Sequence, residues 1–208
     1  MQEQITLFTD SVRRSSSDYG VQLSDEIQNQ LATYYELLLR WNERLHLVAP
    51  CPPKDFATLH VLESLVVTNY LPHGASVIDV GSGAGLPIIP CLIARSDIKA
   101  TLIESSQKKS VFLREALKAI GALKRATIVT KPFEEVPAPD ADFLTCRALD
   151  DFTAKLPALI QWAPTDSTLL LFGGENLRQQ LSTLKCDFDE RLLPASERRF
   201  LFPVKKPA

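Results

Sequence analysis

The stretch from Val77 to Pro87, VIDVGSGAGLP, constrains this chain more than any other: Gly81, Gly83 and Gly85 fall within five positions, directly after an apolar run. Glycine admits φ > 0 and lets a ligand approach the main chain where a Cβ would block it, at an entropic cost that an ordinary loop avoids. The residues before it read as a strand and those after it as a helix, with Pro87 suited to a first helical position. Such a turn is where doubly wound sheets hold nucleotide-like ligands. Two known loop chemistries fail on spacing. A G-x-G-x-x-G fingerprint would put its last glycine at Leu86 or at Ile88, and the phosphate-cradling G-x-x-x-x-G-K-[ST] lacks its lysine and its hydroxyl.

Around this turn the chain shows two regimes. Residues 1–72 read as a helical region. From Asp25 to Leu45, Ile27, Leu31, Tyr34, Tyr35, Leu38 and Trp41 recur at three and four behind a capping Ser24, and a second helix is expected over 55–70. The prolines in Ala49-Pro50-Cys51-Pro52-Pro53 separate the two. Over 73–208, short apolar strands are expected at 76–80, 100–104, 126–130, 142–148, 168–172 and 200–204. They alternate with helical stretches such as Gln107 to Gly121. That alternation predicts an α/β fold, a mostly parallel sheet with helices on both faces.

Composition narrows the function classes. With 45% hydrophobic residues in 208, the chain can bury a sizeable core, and no apolar run approaches membrane-spanning length. The opening residues lack the basic start and unbroken apolar stretch of a signal peptide, so a cytoplasmic protein away from membranes is expected, and a monomer is the expected state. Four scattered cysteines and three histidines show no metal-ligand spacing. The first 100 residues carry 7 basic against 11 acidic residues and the rest 16 against 14, which permits a basic patch in the second half without requiring one.

What remains for the loop is acid-x-G-x-G-x-G, Asp79 to Gly85, which resembles motif I of the Rossmann-like class I S-adenosylmethionine-dependent methyltransferases. That cofactor has no pyrophosphate; it needs close backbone approach, and an acid closing the next strand, Glu104, to accept from the ribose hydroxyls. The flanking segments resemble the glucose-inhibited division protein B family, the bacterial 16S rRNA guanine-N7 methyltransferases. The resemblance is carried by Leu39 to Asn42 with Leu45 to Val48, His60 to Ser64, Asp79 to Pro90, and Leu102 to Ser105 with Lys108-Lys109. It continues through Phe112-Leu113, Phe133 to Glu135, Cys146 to Ala148 and Glu197 to Phe202.

The resemblance implies a class I methyltransferase domain over 73–208, using S-adenosylmethionine to methylate N7 of a guanine in 16S rRNA, free or in the small ribosomal subunit. By position, Asp79, Gly81, Gly83, Gly85, Leu86 and Glu104 would hold the cofactor, Phe133 and Glu134 would flank its adenine, and Arg147 would position cofactor or base. Lys108, Lys109, Lys131, Arg198 and Arg199 would grip the RNA. Two cations of the family pattern are displaced: Pro132 stands where an arginine is usual before the acidic turn, and Phe172 where a lysine precedes glycine. An attack by N7 needs no general base, because that nitrogen carries a lone pair and no proton. Blander roles compete at single residues: core packing for His60, Trp41 and Phe133, an ion pair for Arg147, and mutual orientation of His60 and Glu63 at i, i+3. A small-molecule or protein acceptor, or a noncatalytic binding module for the cofactor or RNA, stays open.

Overall fold

The computed structural model describes residues 1–147 and 151–206. Its centre is a sheet in the order β3-β2-β1-β4-β5-β8-β6, with β7 also paired to β8. Strands β1 (Ser76–Val80), β2 (Lys99–Ile103), β3 (Ala126–Val129), β4 (Phe143–Cys146) and β5 (Thr168–Gly173) are parallel, and β8 (Phe200–Lys205) returns antiparallel beside β5. The short β6 (Asp187–Phe188) and β7 (Arg191–Leu192) had no apolar run to announce them. Of the expected strand 142–148, Ala148 lies outside the described residues. Pro87 caps its helix from outside, the first helical residue being Ile88.

The unbroken apolar spelling of the strands follows from burial on both faces. In β5, Leu170 and Phe172 join one core cluster while Leu169 and Leu171 join the other, as side-chain alternation requires. The second cluster is closed by α7 (Phe152–Trp162) and α8 (Glu175–Thr183). The first lies under α5 (Ile88–Ala94), α6 (Gln107–Ala119) and the N-terminal helices.

Those N-terminal helices are α1 (Gln2–Ser15), α2 (Asp25–Leu45) and a helical path from Pro53 to Tyr70. Ser24 caps α2 by accepting from the Ile27 amide at 3.3 Å. Phe8 stacks on Tyr35 with ring centres 4.3 Å apart, and Tyr35 on Phe56 at 4.9 Å, so one aromatic row joins all three helices. The 53–70 path changes gait: α3 (Pro53–Asp55) passes into a π segment (Phe56–Leu62), then α4 (Glu63–Leu65), then a 3₁₀ turn (Val66–Tyr70). Trp41, expected as a core anchor between the helical region and the sheet, packs on the first cluster by way of α6, donating to Glu115 at 3.2 Å with its ring edge-on to Phe112.

Candidate active site

Because β1, β2, β3 and β4 run parallel, their C-terminal ends open on one edge, and a cleft of about 520 Å³ lies there, within the range of small-ligand sites. Its floor is the glycine turn. Gly81, Gly83 and Gly85 have φ of 71°, 49° and 82°, the left-handed region that favours glycine. The three serve different ends. A Cβ on Gly83 would make only an ordinary contact with the Gly81 carbonyl oxygen at 3.6 Å, whereas one on Gly85 would come within 2.3 Å of Ile89, so the last glycine lets α5 pack down on the turn. The amides of Gly81 and Ser82 both donate to the Ile103 carbonyl, at 2.9 and 3.1 Å, fastening the turn to β2. From above, the buried Tyr34 hydroxyl of α2 donates to the Ala84 carbonyl at 2.7 Å.

Glu104, just past β2, is buried beside this turn. Its Oε2 accepts from the Gly83 amide and its Oε1 from the Ser106 amide, both at 2.8 Å. A carboxylate offers about four lone-pair positions, so two remain for ligand hydroxyls. Asp79 stands behind the turn and does not line the cleft: Oδ1 accepts from Thr145 at 2.7 Å, while buried Oδ2 has no partner among the described residues. Burial pushes its carboxyl up to about 7, against the hydrogen bond from Thr145.

Leu86, Lys109, Lys131, Phe133 and Glu134 line the cleft too. Phe133 is also core, edge-on to Trp162 at 5.5 Å, so core packing does not remove it from the cleft wall. Glu134 pairs with Lys155 of α7 at 3.6 Å. Lys131 keeps a cation at the edge where Pro132 supplies none. Lys108 and Arg198 are exposed and outside the cleft walls.

Arg147, after β4, reaches the opposite end of the cleft and is nearly spent on protein partners. Nη1 donates to the His60 carbonyl and Ser64 Oγ, and Nη2 to the Leu59 carbonyl at 2.6 Å and Glu63 Oε2 at 3.1 Å. Phe172 offers its ring face to this guanidinium at 5.1 Å, so an aromatic supports the cation where the family pattern has a lysine. Fully buried Glu63 also holds Arg199 at 2.8 Å. Burial lifts the Glu63 carboxyl above its ordinary value, and the two guanidinium groups oppose that lift. Glu63 and His60 therefore do not orient one another. The composition signalled neither the arginine–glutamate–arginine group nor the wall of Leu47, Val48 and Ala49. Asn42 braces that wall, bonding both the amide and the carbonyl of Val48 at 2.9 and 3.0 Å.

Comparison with known proteins places the chain. Residues 27–191 match the family model for rRNA small subunit methyltransferase G. The chain belongs to this family. It is 35% identical over 173 residues to the Ribosomal RNA small subunit methyltransferase G of Gluconobacter oxydans, covering 80% of this chain and 84% of that one. With its namesake from Dichelobacter nodosus it shares 32% over 201 residues, 94% of both. In fold it resembles an S-adenosylmethionine-dependent methyltransferase structure from Methanococcus maripaludis, with TM-score 0.60, 13% identity and coverage of 90% and 98%. It resembles the M1A22 tRNA methyltransferase of Bacillus subtilis at TM-score 0.54, 16% identity, 70% and 65%. The family's cofactor is S-adenosylmethionine, and the cleft suits it: a glycine turn where a Cβ on Gly83 would touch only the Gly81 carbonyl oxygen, and acceptors left on Glu104 for ribose hydroxyls. Among the described residues no three His, Cys, Asp or Glu side chains group as a metal site, and no helix is long and apolar enough to cross a membrane.

Proposed function

We propose that this protein methylates N7 of one guanine in 16S rRNA, within the small ribosomal subunit or its precursor, using S-adenosylmethionine. The observation that supports this most is the coincidence of the family match with the cleft: residues 27–191 contain the whole cleft wall, from Leu47 to Lys155. S-adenosylmethionine supplies a methyl group on a positively charged sulfur. Guanine N7 would offer its lone pair to that methyl carbon, the electrons of the carbon–sulfur bond staying with sulfur. The positive charge ends on the purine, and no proton is released.

The chain's part is to orient. Gly83 and Glu104 would hold the adenosine end, Leu86, Phe133 and Glu134 would shape the site, and Asp79 stands behind the turn. Holding N7 in line with the methyl carbon is worth roughly 7 to 11 kcal/mol of barrier without any acid or base. Lys109 and Lys131 inside the cleft, with exposed Lys108 and Arg198 outside it, would meet phosphates, which tolerate varied donors. Arg199, paired to Glu63, is better placed to support Arg147 than to grip RNA.

The test is transfer of labelled methyl from S-adenosylmethionine to small-subunit RNA from cells lacking N7 methylation, naked and as particles, followed by strand scission at N7-methylguanine. One mapped guanine is the expected result. Cofactor binding without transfer to any RNA form would refute the assignment.

A further inference from the structure

The geometry points to His60 as the residue that reads the acceptor base, its imidazole N–H donating to O6 of the guanine whose N7 receives the methyl; this rests on the function proposed above. His60 belongs to the π segment of the 53–70 path and is one of the residues lining the cleft. Its ring packs against Phe56 at 5.2 Å, and neither ring nitrogen has a hydrogen-bond partner among the described residues. The ring is thus held and its polar atoms are free. Its backbone is equally fixed, the carbonyl accepting from Arg147 at 3.2 Å and from Ser64 Oγ at 2.5 Å.

Position along the cleft assigns the ligand. Glu104 follows β2 and Phe133 follows β3, which marks that side of the strand order for adenosine. His60 lies beside Arg147, beyond the end of β4, on the other side of β1. The acceptor must enter there. Guanine's Hoogsteen edge carries two acceptors, N7 and O6. N7 must keep its lone pair for the methyl carbon, so O6 is the atom left to recognise. Adenine presents an amino group in that place and would meet an N–H donor to donor.

Arg147 is the obvious alternative donor, but both its Nη atoms are committed to the carbonyls of Leu59 and His60, to Ser64 and to Glu63. It builds the wall on which His60 is mounted. Charge points the same way. Burial, then Arg147 and Arg199, hold the imidazole down to about 4 against the opposing pull of Asp55, so the ring is neutral at physiological pH. A neutral donor adds no positive charge beside a base that becomes cationic.

The experiment compares wild type, His60→Leu and His60→Gln for methyl transfer to small-subunit RNA, RNA affinity by filter binding, S-adenosylmethionine affinity by calorimetry, and melting temperature. Leu removes the donor; Gln restores an N–H. The Leu protein is expected to keep its melting temperature and cofactor affinity. It should lose about tenfold in kcat/KM, the scale of leaving one base acceptor unpaired, and bind RNA more weakly. Gln should recover part of both. A Leu protein equal to wild type in either RNA measurement, or a Gln protein no better than Leu, overturns the assignment while an active wild type leaves the function standing. A wild type inactive on every RNA form overturns both.

Discussion

The two edges of one sheet use the same side chains to opposite ends. At the edge where the strands begin, Arg95 grips Asp97 at 2.7 and 2.8 Å and donates to the carbonyls of Leu71 and Pro72. Arg125 donates to the carbonyls of Leu92, Arg95 and Ile98, and Asp142 accepts from the amide and hydroxyl of Ser76. These groups lie partly in solvent, and the hydrogen bonds from Arg95 and Ser76 hold the Asp97 and Asp142 carboxyls below their ordinary range. At the edge where the strands end, the carboxyls are buried and incompletely answered: Asp79 with a free oxygen and Glu63 between two arginines, beside a half-buried His60 whose ring nitrogens have no partner among the described residues. Satisfied charges at a rim fasten loops. Unsatisfied ones in a cleft are available to a ligand.

The contrast breaks most readily at Glu63. Replacing it by Ala strands Arg147 and Arg199 and should cost about 3 kcal/mol of stability by denaturant unfolding, as when one partner leaves a buried ion pair. A loss no larger than that of Asp97→Ala would erase the distinction. Next, Glu104→Ala should weaken S-adenosylmethionine binding by about tenfold to a hundredfold in calorimetry, since hydrogen bonds to a charged group are each worth about 1.5 to 3 kcal/mol. Unchanged affinity would remove Glu104 from the site.

Asp79 tests the effect of burial on charge. With its carboxyl raised to about 7 from an ordinary 3.8, the folded protein keeps a proton that the unfolded chain has lost between about pH 4 and 7. Stability should therefore fall as pH rises through that window and level off above it, and melting curves of Asp79→Asn should be flatter there. The smallest effect belongs to the outer rim. Asp97→Ala should cost about 1 kcal/mol, as for a partly exposed pair, and leave cofactor affinity untouched; a changed affinity would show that the two edges communicate.

Local signals made much of this legible. Asp25 to Leu45 is spelled as a helix by its apolar period and its serine cap, and the structure gives those limits. The five parallel strands are spelled by apolar runs, and Glu104 by its place after β2. What the sequence hid depends on distance along the chain. Glu63 and His60 looked like a neighbouring pair, but the partners of Glu63 are 84 residues away at Arg147 and further still at Arg199. The π segment carries no compositional mark. Asn42 reads as one polar residue near a helix end until Val48 is seen to fold back onto it.

One bond has a practical use. Trp162 donates its indole N–H to the Val136 carbonyl at 2.7 Å, with its ring against Phe133, at the end of the turn that borders the cleft. The chain's other tryptophan, Trp41, sits at the α2–α6 contact. Emission from Trp162 is therefore expected to change when a ligand meets Phe133, and a Trp162→Phe protein should lose that change while Trp41 still emits.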